Sequence, residues 1–263
     1  MRRYWSEYRT AEYAEIDPEK TIAILPTAAI EQHGPHLPVG VDTMINTGLL
    51  ARLVELAPED LDFRILPVQA VGKSNEHLHA PGTLTLAADV AMKAWIEIGL
   101  SVARAGVRKM VIVNSHGGNL DMLGIIAREL RVQAGMLCAK CQWGSFGQPE
   151  GMYPPEELAY GIHGGDVETS LMLYLRPELV DMDQAGDFRS SAQDMDNFAR
   201  LRPTGATAYG WMASDLSSHG TVGNAAAARP EKGAATADHY VRGFIELLRD
   251  VESFPLDRLG NAK

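Results

Sequence analysis

The sequence KMVIVNSHGGNLDMLGIIARELRVQAGMLCAKCQW, residues 109–143, contains two apolar segments of strand length separated by a longer segment. The first, 109–114, leads into a polar loop, and residues 120–134 then carry apolar side chains at three- and four-residue intervals, as in an amphipathic helix. Gly135 is a plausible helix stop before the second apolar segment, 136–143. This order of strand, helix and strand predicts two strands of a parallel sheet joined by a covering helix.

The same alternation extends over most of the chain, which favours a single α/β domain, 1–263, with a mostly parallel sheet covered by helices. Further strands are predicted at 21–26 and 63–71, and further helices at 44–56, 87–105, about 166–175 and about 231–251. Residues 181–226 are different, because they are rich in Asp, Ser, Gly and Ala with weak periodicity. They indicate either an excursion over the surface or a subunit contact.

The composition is that of a soluble globular protein, with 46% hydrophobic and 22% charged residues. The formal net charge of -10 comes without a basic cluster that could follow a phosphate backbone, so nucleic acid is not an expected partner. The N-terminal residues lack the pattern of a signal peptide, and no stretch reaches the roughly 18 apolar residues of a membrane span. We therefore expect a cytoplasmic protein with no membrane partner.

Cys138 and Cys141 have the C-x-x-C spacing of a redox pair or of half a zinc site. They lie in a predicted strand, where positions three apart point to opposite faces of the sheet. We therefore interpret them as two small packing residues.

Polar clusters follow each predicted strand. Ligands of open α/β sheets bind at the carboxyl ends of the strands, where the loops that lead into helices converge. The loops at 31–42, 73–83, 115–119 and 144–168 are therefore expected to line one pocket.

The densest of these clusters is EQHGPHLPVGVD, which contains Glu31, His33 and Asp42. Carboxylate oxygen together with imidazole nitrogen suits zinc, manganese or iron, whereas calcium and magnesium usually prefer oxygen ligands alone. Two structural roles are the alternatives. Asp42 is well placed to cap the helix that begins near Thr43, and Glu31 could bind backbone amides in a tight turn.

Two other loops each place a histidine before a pair of glycines. In NSHGGN, His116 precedes Gly117 and Gly118, which permit a close backbone approach. This loop lacks the Walker lysine and the dinucleotide glycine spacing, so a ligand histidine fits better than a phosphate loop. In HGGDVETS, His163 suits proton transfer near neutral pH, and Glu168 begins a helix, where its charge could simply face the helix dipole.

These motifs resemble the creatininase, or creatinine amidohydrolase, family of metal-dependent hydrolases, and the resemblance spans most of the chain. It rests on the Leu-Pro at 25–26 before the EQHGPHLP motif with Asp42, on NSHGGN, and on HGG followed by ETSLML. The loop GKSNEHLHAPGT, residues 72–83, also resembles the family's second-strand loop. The resemblance implies a three-layer α/β/α sandwich, one or two divalent metals per chain, and a homo-oligomer of up to six subunits. Zinc is the metal expected first, with manganese or iron as alternatives.

The resemblance also implies roles for individual residues. Glu31 and His116 would bind one metal, His33 would bind a second, and Asp42 would bridge the two. His163 would act as the acid or base that handles the leaving nitrogen.

The chain departs from creatininase proper at two positions. Gly118 stands where creatininase has a ligand carboxylate, and Glu168 is our candidate for a replacement ligand with a catalytic contribution. Ile162 stands where creatininase has a glutamate beside the catalytic histidine, so a related activity is expected instead of creatinine hydrolysis.

Candidates for substrate contact are two side chains and the glycine pair, namely His77, Trp143, Gly117 and Gly118. A structural loop histidine is the alternative for His77, and a core position is the alternative for Trp143. His36 could lie behind the metal ligands or serve only the structure of its loop.

We therefore predict that the protein cleaves the C–N bond of a small-molecule amide, cyclic or linear, with metal-activated water. A lactone, a formamide or a short peptide would be attacked by the same centre, so a lactonase, a deformylase or a peptidase is an alternative. A catalytically idle metal-binding protein of the same fold is the alternative from a different class.

Overall fold

A four-stranded parallel sheet forms the centre of the computed structural model, which describes residues 2–195 and 197–260. The strands are β1 (Ile22–Thr27), β2 (Phe63–Ile65), β3 (Lys109–Asn114) and β4 (Leu137–Gln142). Their order across the sheet is β2-β1-β3-β4, and β1 pairs with β3 in register from Ile22 and Lys109 to Thr27 and Asn114. The carboxyl ends of β1 and β3 therefore lie side by side at the centre of one sheet edge.

Helices cover both faces of this sheet. On one face lie α1 (Val41–Leu56), α5 (Asp166–Leu175) and α7 (Pro230–Ser253), and on the other lie α2 (Ala88–Arg104) and α3 (Leu120–Ala134). Alternate strand residues enter the two apolar clusters: Ile24 packs in the first, and Leu25 in the second. Strands that are buried on both faces need the continuous apolar sequence found here. The prediction of a mostly parallel sheet between helical layers is confirmed.

The second predicted strand, 63–71, was wrong in its extent, because β2 ends at Ile65. Leu66 N still donates to Ile24 O at 2.9 Å, but the regular ladder ends at this residue. The chain beyond it contacts β1 only at separate points, such as the bond from Gln69 N to Pro26 O at 2.9 Å. A short helix that the sequence did not predict, α4 (Pro155–Tyr160), begins with a proline and ends before Gly161.

The segment 181–226 is an excursion with little regular structure. It contains the antiparallel pair β5 (Asp187–Phe188) and β6 (Gly223–Asn224), and the single turn α6 (Ala213–Leu216). Its last part returns to the loops at the carboxyl edge of the sheet, where Val222 N donates to His163 O at 2.9 Å. Gln32 Nε2 also donates to Gly220 O. The excursion therefore supports two of the loops that carry the predicted site.

Cys138 and Cys141 point to opposite faces of β4, where each packs against a different apolar cluster. Both are free thiols, and burial raises the pKa of each to about 12. Their interpretation as separate packing residues is confirmed. Among the described residues, the helices are too short or too polar to span a bilayer.

Lys109 is buried at the start of β3 and is only 1% exposed. Its Nζ donates to Glu252 O at 2.6 Å, in the last turn of α7, where backbone carbonyls lack partners within the helix. Lys109→Met keeps much of the stem but removes the donor, so we expect the free energy of unfolding in urea to fall by about 1–3 kcal/mol. Lys93→Met, at an exposed position of α2, is the control and should change it by less than about 0.5 kcal/mol. Equal stability of the two variants would contradict the cap.

Candidate metal centre

The loops after β1 and β3 bring together the four residues that the sequence predicts as ligands. Glu31 and His33 follow β1, Asp42 lies in the first turn of α1, and His116 follows β3. Each of these residues is between 1% and 4% exposed. They are close together because the two strands are adjacent and parallel, so the loops leave the sheet on the same edge.

Glu31 lies at the centre of the cluster. Its Oε1 is 3.2 Å from His116 Nδ1, 3.4 Å from His77 Nε2 and 3.6 Å from His163 Nδ1. Its Oε2 is buried and has no hydrogen-bond partner among the described residues. Burial alone would raise the pKa of this carboxyl, but the surrounding imidazoles hold that pKa well below its ordinary value. Glu31 is therefore an ionised carboxylate with one oxygen still available.

Asp42 lies between two histidines. Its Oδ2 is 3.4 Å from His116 Nδ1, and its Oδ1 is 3.7 Å from His33 Nε2. The alternative role as a helix cap is wrong, because Gly40 occupies the N-cap position of α1 and the cap makes no side-chain hydrogen bond. Asp42 is instead placed so that its two oxygens face two different histidines.

His33 has one nitrogen committed to the backbone. Its Nδ1 lies 3.0 Å from Glu31 O, which can only accept, so Nδ1 carries a proton. Its Nε2 is buried, has no hydrogen-bond partner among the described residues, and faces Asp42 and, at 3.9 Å, Glu168 Oε2. Burial lowers the pKa of His33, but the carboxylates of Asp42, Glu168 and Glu31 outweigh it and raise that pKa to about 9. The surroundings of His33 therefore favour its protonated, positively charged form.

His116 is oriented by the loop that follows β2. Its Nε2 donates to Lys73 O at 2.8 Å and lies 3.4 Å from Glu76 Oε1. Burial lowers the pKa of His116, but Glu31, Glu76 and Asp42 outweigh it and raise that pKa well above its ordinary value, so Nδ1 also carries a proton, which a bound cation would displace. The imidazole therefore presents a ligand nitrogen to both carboxylates.

His163 and Glu168 lie on the more open side of the cluster, with side chains 12% and 24% exposed. His163 Nε2 donates to Gln32 O at 2.7 Å, and its ring lies between those of His33 and His77, with centroids 4.2 and 4.5 Å away. Burial and the charge of His33 lower the pKa of His163 to about 3. Its Nδ1 is therefore unprotonated and carries a lone pair.

Glu168 both begins a helix and approaches the cluster, as its position in the sequence suggests. It lies in the first turn of α5, and its Oε2 accepts from Gly164 N at 2.5 Å. The same oxygen is the one that lies near His33 Nε2. The backbone contact holds the carboxylate at the edge of the cluster.

Glu76 belongs to the cluster, although the sequence analysis gave it no role. Its Oε2 accepts from Lys73 Nζ at 2.9 Å, and its Oε1 faces His116. A Cβ at Gly118 would lie 2.0 Å from Glu76 Oε1 and 2.5 Å from His116 Nε2, so the glycine leaves the space that both side chains occupy. The sequence feature that could have identified Glu76 is its position next to His77, in a loop at the carboxyl edge of the sheet.

The residues predicted to contact substrate occupy different places. His77 is 2% exposed, accepts from Gln32 Nε2 at 2.8 Å and lies behind Glu31. Trp143 is also 2% exposed and donates to Asn46 Oδ1 at 3.1 Å, but it lines a cavity of about 280 Å³ together with Glu168. Gly117 is exposed, and a Cβ there would meet nothing within 4 Å.

His36 serves the structure of its loop. It is buried, its Nε2 lies 3.1 Å from Gly164 O and 2.9 Å from Thr169 Oγ1, and burial lowers its pKa to about 4. It therefore supports the backbone next to His163 without facing the carboxylates.

Among the described residues, four groups of three side chains could hold a metal ion; two of them, Glu31-His33-His163 and Glu31-Glu76-His77, share Glu31 without Asp42, and the other two share Asp42. In each, ligand atoms from all three residues lie within 4.8 Å of one another, and the two triads that share Asp42 are Glu31-Asp42-His116 and His33-Asp42-Glu168. Carboxylate and imidazole donors in this combination suit zinc, manganese or iron.

Residues 6–248 match the Creatininase family, described as creatinine amidohydrolase. The chain belongs to the creatininase family. It is 29% identical to the creatinine amidohydrolase of Pseudomonas putida over 266 residues, which cover 95% of each chain. It is 32% identical to the mycofactocin precursor peptide peptidase of Mycolicibacterium smegmatis over 165 residues, or 62% of this chain and 61% of that protein. The resemblance found in the motifs is confirmed, and both named relatives are hydrolases of C–N bonds.

Solved creatininase structures have the same fold. A structure of creatininase with manganese aligns with 95% of this chain and 96% of its own, at 26% identity and a TM-score of 0.72. A variant creatininase of the Zn–Zn type aligns with 97% of this chain and 100% of its own, at 25% identity and a TM-score of 0.74. Members of the family with this fold are therefore metal-dependent.

Gly118→Ala tests the packing around His116. The added Cβ would also lie 2.6 Å from Lys73 O, so backbone and side chains must shift, and we expect a loss of about 1–3 kcal/mol in the free energy of unfolding. The histidine signals of His116 in NMR spectra should move as well. Gly117→Ala is the matched control and should leave these signals in place. Unchanged signals in Gly118→Ala would show that Glu76 and His116 do not fill this space.

Proposed function

We propose that this protein is a metal-dependent hydrolase that cleaves the C–N bond of a small-molecule amide. The observation that carries the proposal is a set of buried ligand atoms without hydrogen-bond partners among the described residues: Glu31 Oε2, His33 Nε2 and Asp42 Oδ2. Buried carboxylates are costly unless a cation or hydrogen bonds compensate them. A bound divalent metal would compensate all three atoms.

The two triads support two metal positions. Glu31, Asp42 and His116 would hold one ion, and His33, Asp42 and Glu168 would hold the other. Asp42 would bridge them, since its Oδ2 faces His116 and its Oδ1 faces His33. Zinc is our first choice of metal, with manganese or iron as alternatives, and relatives with manganese and with Zn–Zn centres support this range.

A divalent metal bound by these ligands supplies a water of lowered pKa and polarises a carbonyl oxygen. The chain supplies the proton transfer. His163 Nδ1 has a lone pair because Nε2 donates to Gln32 O, so it can take a proton at Nδ1 and deliver it to the departing nitrogen. The rings of His33 and His77 on either side hold the orientation of the His163 ring.

The wider assignments follow from membership of the family. We propose a homo-oligomer, ring-like or hexameric, in the cytoplasm, and an activity related to that of creatininase on a substrate other than creatinine, because Ile162 stands beside His163. A peptide C–N bond is included in this class, in keeping with the named peptidase relative. An amide substrate would release an amine, whereas a lactone would release acid without nitrogen.

Metal content tests the ligand assignment. We expect two ions per chain in the parent protein and one in Glu168→Ala, measured by elemental analysis of the purified proteins. Glu97→Ala, at an exposed position of α2, is the control and should keep two. One ion unaffected by Glu168→Ala would remove Glu168 from the centre. Absence of tightly bound metal after supplementation would overturn the proposed function.

His163 and His116 should separate proton transfer from metal binding. His163→Ala should keep its metal and lose on the order of a hundred- to ten-thousand-fold in kcat, because it lacks the proton donor. His116→Ala should lose metal and activity together. Exposed His79 provides the control, since His79→Ala should retain both. Undiminished turnover in His163→Ala would exclude the proposed role.

A further inference from the structure

A cavity of about 280 Å³ lies at the carboxyl end of β4, beside the candidate metal centre. Two of its lining residues connect it to the centre. Glu168 lines it and also approaches His33, and Ser115 lines it while its Oγ donates to Asp42 O at 2.8 Å. This volume is near the lower limit of small-molecule sites. The cavity is therefore placed to hold a group that flanks the bond being cleaved.

About half of the lining of this cavity is apolar. Trp143 and Leu171 form its buried part, and Leu158 and Ile162 are exposed at 50% and 36%. Exposed aliphatic side chains beside a cavity lose water when a ligand covers them, which favours apolar ligand groups. Ile162 directly precedes His163, so this apolar wall extends to the reacting position.

The polar groups of the cavity are neutral or acidic. Gln148 Oε1 is buried and has no hydrogen-bond partner among the described residues, so it can accept from a neutral donor. Among the described residues that line the cavity there is no lysine or arginine. Both oxygens of Glu157 already accept from the backbone, at Asp166 N and Asn224 N. An anionic ligand group would find no cationic side chain here.

We propose that the substrate is an uncharged amide with an apolar acyl group of several carbons, and that the cavity binds this group. This inference rests on the proposed function and names its substrate class. A compact, polar amide would leave the apolar wall uncovered. A carboxylate at the end of the acyl chain would find no lysine or arginine among the described residues that line the cavity.

The test uses the 4-nitroanilides of acetic, butanoic and succinic acid, whose cleavage releases nitroaniline. Butanoyl adds two methylenes to acetyl, and succinyl has the length of butanoyl with a terminal carboxylate. At about fourfold for each buried methylene, kcat/KM for butanoyl should exceed that for acetyl by about fifteenfold. The succinyl compound should be the poorest of the three. Equal values for all three would overturn the proposal.

Two variants locate the selectivity. Ile162→Glu and Leu158→Glu should each bring the butanoyl-to-acetyl ratio close to one, because a carboxylate replaces part of the apolar wall. Ile125→Glu, at a position of α3 that is 52% exposed, is the matched control and should leave the ratio unchanged. An unchanged ratio in both cavity variants would exclude this cavity as the acyl site.

The matching ketones, in which CH2 replaces the anilide N–H, separate this inference from the proposed function. They cannot be cleaved, so their dissociation constants, measured by calorimetry, report binding alone. Tighter binding of the butanoyl ketone than of the acetyl and succinyl ketones supports the substrate class even if no anilide is hydrolysed, a result that would count against the function. Equal binding together with turnover would overturn the substrate class and leave the hydrolase intact.

Discussion

The buried negative charge of Glu31 is the constraint on which the rest of the site depends. A carboxylate that is 1% exposed is stable only if positive charge or hydrogen bonds surround it. Its neighbours are three histidines, His77, His116 and His163, which come from three different loops. Because each loop contributes one of these contacts, the centre and the carboxyl edge of the sheet are a single structural unit.

Buried asparagines fix the strand ends from which this unit starts. Thr27 Oγ1 donates to Asn114 Oδ1 at 3.0 Å across the last pair of β1 and β3. Asn46 Nδ2 donates to Thr27 O at 3.0 Å, and Asn119 Nδ2 donates to Ala28 O at 3.0 Å. These bonds satisfy backbone groups where the parallel ladder ends. The ligands that follow each strand therefore leave the sheet from fixed positions, which a metal site requires for its geometry.

The sequence predicted those parts of the site in which distance along the chain determines distance in space. Glu31, His33 and Asp42 share one loop, and His116 follows the neighbouring strand, so their meeting follows from the parallel order. Contacts between distant, aperiodic segments had no such signal. Gln32 binds Gly220, 188 residues away, from an excursion whose pattern predicted no regular structure. The apolar pattern of 63–71 continues past Ile65, where β2 ends, so it did not show the end of the strand.

The absence of a carboxylate at position 118 does not leave the centre short of negative charge. Four carboxylates approach the imidazoles of His33 and His116: Glu31, Asp42, Glu76 and Glu168. Glu76 also pairs with Lys73 Nζ at 2.9 Å, so its charge has a partner within the chain. Glu76 uses the space that Gly118 leaves, and Glu168 approaches His33 from a helix terminus. The negative charge of the cluster is therefore distributed over loops from several elements, and Glu76 and Glu168 supply the carboxylates that position 118 lacks.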